Sequence, residues 1–184
     1  MPIQNIHYID LSKIDSQAVF FLDTNILYFI HSGYYAPTKT ECVIYSSFVQ
    51  HLLTKNSQIC VSILNIQELL FGIENKEYYL YLDANSLSKH SFTKKDFRND
   101  SVQRLAVKNK LSVVMKELDS TYTIVDGSIT ASLAQRFIDD FTSHHYDPID
   151  YFLVQNAQKS NKTIMFVTDD KDFQFDPRIN IITK

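Results

Sequence analysis

Three glycines and four prolines in 184 residues leave little material for long flexible loops, and no low-complexity tract, linker or internal repeat interrupts the chain. One domain spanning 1–184 is therefore expected, and a chain that is 45% hydrophobic and 21% charged is long enough to bury its own core. Cysteine is equally scarce. Cys42 and Cys60 form no C-x-x-C and have no second pair beside them, which excludes a disulfide framework and a structural zinc site; Cys60, in Q-I-C-V-S, reads as a small core residue. No apolar run approaches the roughly 20 residues that cross a bilayer. Asp10, Lys13 and Asp15 stand where a secretory signal would need an apolar stretch. The expectation is a soluble, cytoplasmic protein with no membrane partner.

Positive charge is also in deficit, with a net charge of −3, but the average conceals a segregation. Seven basic residues fall between Lys94 and Lys116 (Lys94, Lys95, Arg98, Arg104, Lys108, Lys110, Lys116) against only Asp96 and Asp100. The stretch from Asp139 to Asp176 holds eight aspartates against Lys159, Lys162 and Lys171. One region is suited to a polyanion, the other to divalent cations.

What the chain does have is a recurrence of short apolar runs between longer amphipathic stretches. The runs are A-V-F-F-L at 18–22, Q-I-C-V-S at 58–62, Y-T-I-V at 122–125, T-I-M-F-V at 163–167 and N-I-I-T at 180–183. Apolar without alternation, they suit strands covered on both faces. The stretches between them, at 39–54, 63–90, 96–118, 128–142 and 148–160, carry helical patterning. This order predicts an α/β fold, a three-layer α/β/α sandwich around a mainly parallel central sheet, with a longer helical segment at about 76–120. The charged piece at 88–97 reads as an exposed turn between helices.

Acids fall at the ends of these strands, where open parallel sheets present their ligand crevice. Asp23 stops the first run; taken alone it is also a good N-cap for the helix beginning near Asn25. Glu68 lies one to two turns into the helix after 58–62, whose buried stripe is read as Ile63, Ile66, Leu69, Leu70 and Ile73. Asp147 reads as an N-cap, Pro148 as the first helical residue and Asp150 as a first-turn acid that complements the helix dipole. Asp169, Asp170 and Asp172 follow the run at 163–167 and are also turn formers. Each has a structural explanation singly, yet independent caps and turns have no reason to gather at strand ends. Carboxylates sharing one crevice raise one another's pKa unless a cation neutralises them. Oxygen ligands with no Cys or His constellation select Mg²⁺ or Mn²⁺. His144 and His145 lie near Asp147, but adjacent histidines diverge on a helix; they read as loop or surface residues.

At these residues the sequence resembles the PIN-domain family of metal-dependent ribonucleases, which includes toxins of bacterial toxin–antitoxin pairs. The resemblance rests on L-D-T-N at 22–25, V-S-I-L-N-I-Q-E-L-L-F-G at 61–72, D-Y-F-L-V-Q-N-A at 150–157 and V-T-D-D-K-D-F at 167–173, in that order. It covers 18–76 and 122–183. It implies four metal-binding and catalytic acids, Asp23, Glu68, Asp150 and Asp170, with Asp169 and Asp172 as alternatives to Asp170. Asn25 and Thr168 match the small polar residues that orient those acids. Glu68 and Asp150 are 82 positions apart, more than in compact toxin members, and the basic run lies in the extra length.

The resemblance implies Mg²⁺- or Mn²⁺-dependent hydrolysis of RNA phosphodiesters, with RNA and a cognate antitoxin protein as partners and a homodimer as a compatible assembly. Lys and Arg from 94 to 116 would hold the backbone; the plainer expectation is a helix with a solvated basic face and Leu105, Leu111, Val114, Met115 and Leu118 turned inward. The alternative function is a non-catalytic PIN-like module that binds RNA or protein. An aspartate-nucleophile phosphatase needs D-x-D-x-T where this chain has D-T-N-I-L. A receiver-like domain needs an early acidic pair and a late isolated lysine, and neither is clear.

Overall fold

A computed structural model describes residues 4–6, 10, 13–14, 17–36, 38–140, 147–158, 162–175 and 179–184. His144 and His145 lie outside the described residues. The strands are β1 (Gln4–Asn5), β2 (Val19–Leu22), β3 (Gln58–Ser62), β4 (Thr123–Val125), β5 (Ile164–Val167) and β6 (Asn180–Thr183). The helices are α1 (Thr24–His31), α2 (Thr40–Thr54), α3 (Ile63–Ala84), α4 (Lys94–Asn99), α5 (Ser101–Thr121), α6 (Ala131–Asp139) and α7 (Pro148–Ala157). All strand pairs are parallel, in one sheet of order β1-β6-β5-β2-β3-β4. Among the described residues, no helix is long and apolar enough to cross a membrane.

Alternation along each strand divides the side chains between two cores. Phe20, Leu22, Ile59, Val61, Met165, Val167 and Ile182 pack on one side with residues of α1, α2, α3 and α5. Val19, Phe21, Cys60, Phe166 and Ile181 pack on the other with Leu133 of α6 and Tyr151 to Val154 of α7. Burial on both faces is why the strands are apolar without a polar face, and it makes the architecture an α/β/α sandwich. The central strands β2 and β5 are neighbours whose onward connections leave in opposite directions, β2 to β3 and β5 to β6. A parallel sheet opens a crevice at such a reversal, outside the carboxyl ends of the two strands.

The expected elements return with shifted ends. The stretch at 63–90 stops at Ala84, because Ser86 takes a left-handed φ of 53° and Leu87 N–H donates back to the Leu82 carbonyl, a helix-terminating turn. The stretch at 96–118 is two helices. Asp100 ends α4 with extended backbone and caps α5, its side chain accepting from the N–H groups of Val102 and Gln103. The turn read at 88–97 is right only for its first half. Thr93 and Asp96 form a reciprocal capping box that starts α4, and Phe97 is buried with Tyr78, Leu82 and Val107 in a small separate cluster.

Two stripes also need correction. Ile63 and Leu105 are exposed, at 44% and 56%. On α5 the buried line runs Val107, Leu111, Val114, Leu118, a spacing of four, three and four, which puts Leu105 on the opposite side. The two-residue β1 is too short to leave a pattern in the sequence.

Candidate functional site

Asp23 directly follows β2 and is the N-cap of α1, so both roles read from the sequence coexist. Its Oδ1 accepts a hydrogen bond from Thr24 N–H at 2.6 Å and its Oδ2 accepts one from Thr168 Oγ1 at 2.6 Å. The side chain is 5% exposed. Burial pushes its pKa up to about 6; the bonds from Thr168 and Thr24 pull down, while the charges of Glu68 and Asp170 add to the rise.

Thr168, fully buried at the end of β5, also accepts the N–H of Asp170 at 2.9 Å, so one hydroxyl ties the two strand ends together. It fills the orienting role expected of it. The Oδ1 of Asn25 is buried with no hydrogen-bond partner. Orientation of Glu68 comes from two residues outside the expected set. Thr24 Oγ1 donates to Glu68 Oε2 at 2.6 Å and accepts from Asn65 Nδ2 at 3.0 Å. Asn65 is fully buried, and its Oδ1 too has no partner. The signal for it was present in the sequence, as a polar residue inside an otherwise apolar helical stripe and three positions from Glu68.

Asp150 enters from the other layer. Asp147 caps α7 by accepting from the N–H groups of Ile149 and Asp150, Pro148 opens the helix, and Asp150 sits half-buried in its first turn. Burial first, then the charges of Asp23, Asp147, Asp170 and Glu68, push its pKa up to about 9. Among the described residues, the charges that shift it are all negative. Asp170 is half-buried, with Oδ1 accepting the N–H of Asp172 at 2.9 Å.

Asp23, Glu68, Asp150 and Asp170 are therefore within electrostatic reach of one another although they come from four separate elements or loops. The two alternatives to Asp170 stand differently. Asp169 accepts from Tyr45 Oη at 2.8 Å and pairs with Lys184 Nζ at 3.0 Å, which commits it to holding α2 and the end of β6. Asp172 is exposed and opens the short 3-10 turn of Asp172–Phe175.

The donors facing this crevice are hard oxygens, which suit Mg²⁺ or Mn²⁺, and the excess negative charge and two unpartnered amide oxygens nearby fit a cation. As placed, no three Asp, Glu, His or Cys side chains among the described residues stand close enough to hold one ion together. No protein-family model matches the chain, and no curated protein matches it.

Proposed function

We propose that this chain is a Mg²⁺- or Mn²⁺-dependent ribonuclease of PIN-domain type. The observation that carries the proposal is that Asp23, Glu68, Asp150 and Asp170 lie within electrostatic reach of one another at the reversal point of a parallel sheet, where the described charges acting on Asp150 are all negative. Asp23 and Asp150 would be the principal ligands, with Glu68 and Asp170 completing the shell. A hard divalent ion held by these acids would supply Lewis-acid charge for hydrolysis of a phosphodiester.

The chain's own residues prepare this. Thr168 and Thr24 fix the Asp23 carboxylate against rotation, so its geometry does not have to be organised when substrate arrives. Asn65 and Thr24 aim Glu68 across α1. Burial and the neighbouring carboxylates favour the protonated form of Asp150, a proton that a bound cation would displace. Lys and Arg side chains of α4 and α5 would hold the RNA backbone.

The test is Asp23→Asn, which can still accept from Thr168 through its amide oxygen. The variant is expected to keep its circular dichroism spectrum and to lose Mn²⁺-dependent cleavage of single-stranded RNA. For a toxin role, induction of the wild type should arrest growth where the variant does not. Cleavage retained by Asp23→Asn overturns the assignment. The absence of three side chains already within ligating reach favours one second reading, a non-catalytic module on the same fold; calorimetry that detects no Mn²⁺ binding would select it.

A further inference from the structure

Glu68 and Phe71 are three residues apart and so share one face of α3, with Asn75 a further turn along. Phe71 is thus ~4.5 Å along the helix axis from an acid of the crevice, at 1.5 Å per residue. It is 55% exposed. Single exposed aromatic residues are ordinary on protein surfaces, and exposure alone would carry nothing. Its surroundings are not ordinary. Lys94 Nζ lies 4.1 Å from the centre of the Phe71 ring, and the same ammonium pairs with Glu74 at 3.3 Å and hydrogen-bonds Asn75 Oδ1. Arg98 closes on Glu74 with two parallel bonds of 2.7 and 2.5 Å. An acid of the crevice, an exposed ring and two anchored cations thus follow one another along α3.

The series continues into a groove of about 630 Å³ between α4 and α5. Its floor includes Phe97, Val107 and Leu111, and its rim Arg98, Arg104 and Lys108. Among the described residues, Lys94, Arg98 and Lys110 have carboxylate partners on α3, whereas Arg104 and Lys108 have none. A volume of this size accommodates a nucleotide. A chain of stacking surface and unneutralised cations, with no base-specific donors or acceptors, is what binds a single strand without reading its sequence. A duplex buries its base faces in its own stack and cannot use Phe71.

We infer that single-stranded RNA lies from the acidic crevice across Phe71 into the α4–α5 groove, with an unpaired base stacked on Phe71 and the backbone held by Arg104 and Lys108. The inference rests on the ribonuclease reading for its single-stranded substrate, and it names the path that strand takes and the residue that positions it. Phe71 is a positioning residue.

Fluorescence anisotropy in EDTA, where no metal-dependent cleavage occurs, tests it with a short labelled oligoadenylate and with the same strand annealed to oligouridylate. Phe71→Ala should bind the single strand about tenfold more weakly, the usual effect of removing one stacking ring, and Phe71→Trp should restore binding. Tyr79→Ala, which removes a ring 52% exposed farther along α3, should bind like the wild type. The duplex should bind more weakly than the strand and should not respond to Phe71→Ala. Arg104→Glu with Lys108→Glu should weaken the strand further, and melting temperatures within a few degrees of the wild type would show the variants folded. Wild-type affinity in Phe71→Ala, or an equal loss for strand and duplex, overturns the inference even if Mn²⁺-dependent cleavage is found. A Phe71-dependent preference for single strands in a protein that never cleaves leaves the inference standing and removes the ribonuclease reading instead.

Discussion

At the scale of single residues, Asp23 and Asp150 concentrate the energetics of the crevice. Both have folded-state pKa values raised above those of an unfolded chain, to about 6 and about 9. A raised carboxyl pKa means the folded state prefers the protonated form. The resulting stabilisation is complete below pH ~4, near the unfolded aspartate value, and is lost as pH rises through the folded value. For Asp23, fully buried, a rise of that size corresponds to about 3 kcal/mol. The metal-free Asp23→Asn variant should therefore gain on the wild type by about 3 kcal/mol between pH 4 and pH 8. Urea denaturation in EDTA at the two pH values checks this. Adding Mn²⁺ at pH 8 should reverse the order, since only the wild type keeps the carboxylate. A stability difference independent of pH would mean that Asp23 is ionised throughout and already compensated.

At the scale of elements, the basic run divides into structural and available charges, a division no count of lysines reveals. Lys110 of α5 pairs with Glu77 of α3 at 2.9 Å and lies 3.7 Å from the ring centre of Tyr34, whose hydroxyl donates to the same Glu77 oxygen at 2.6 Å. It joins α5, α3 and the segment after α1. Lys108, two residues earlier and so on nearly the opposite side of α5, has no such partner among the described residues. Lys110→Ala should accordingly lower stability by about 1 kcal/mol, the scale of a partly exposed ion pair with a cation–π contact, and leave RNA affinity unchanged. Lys108→Ala should do the opposite, weakening RNA binding with no change in the melting temperature. Thermal melts and anisotropy on the two variants separate these outcomes. The helix ends were legible where short polar residues made caps, as at Asp23 and Asp147. They were less legible at Asp100, which closes one helix while opening the next and so leaves an almost unbroken helical pattern.

At the scale of the whole molecule, an overall negative charge coexists with a path for a polyanion because like charges are gathered in different layers. The aspartates converge at the carboxyl edge of the sheet, while the cations lie on α4 and α5, held in register by Glu74 and Glu77 of α3. Helix α3 links the regions, with Ile66, Leu69 and Ile73 in the main core and Tyr78 and Leu82 in the small cluster around Phe97. Binding of single-stranded RNA should depend on salt despite the net charge. With two phosphates neutralised, by Arg104 and Lys108, a log–log slope of about −1.4 is expected. Titration over a range of salt concentrations measures it, and a flat dependence would show that the basic path is not used.

Strands buried on both faces have to be apolar along their whole length, so the five principal strands, their parallel pairing and the layered architecture were written in the order of residues. So were the acids Asp23, Asp150 and Asp170, because a carboxylate at the end of a buried strand or in the first turn of a capped helix is visible as a break in local pattern. Long-range partnership was not. That Thr24 orients Glu68, that Asp169 serves Tyr45 and Lys184 rather than the crevice, and that Phe71 of α3 meets Lys94 of α4 are decided by which elements lie side by side. Contacts of this kind join residues tens of positions apart, and local periodicity carries no information about which distant helix will supply the partner.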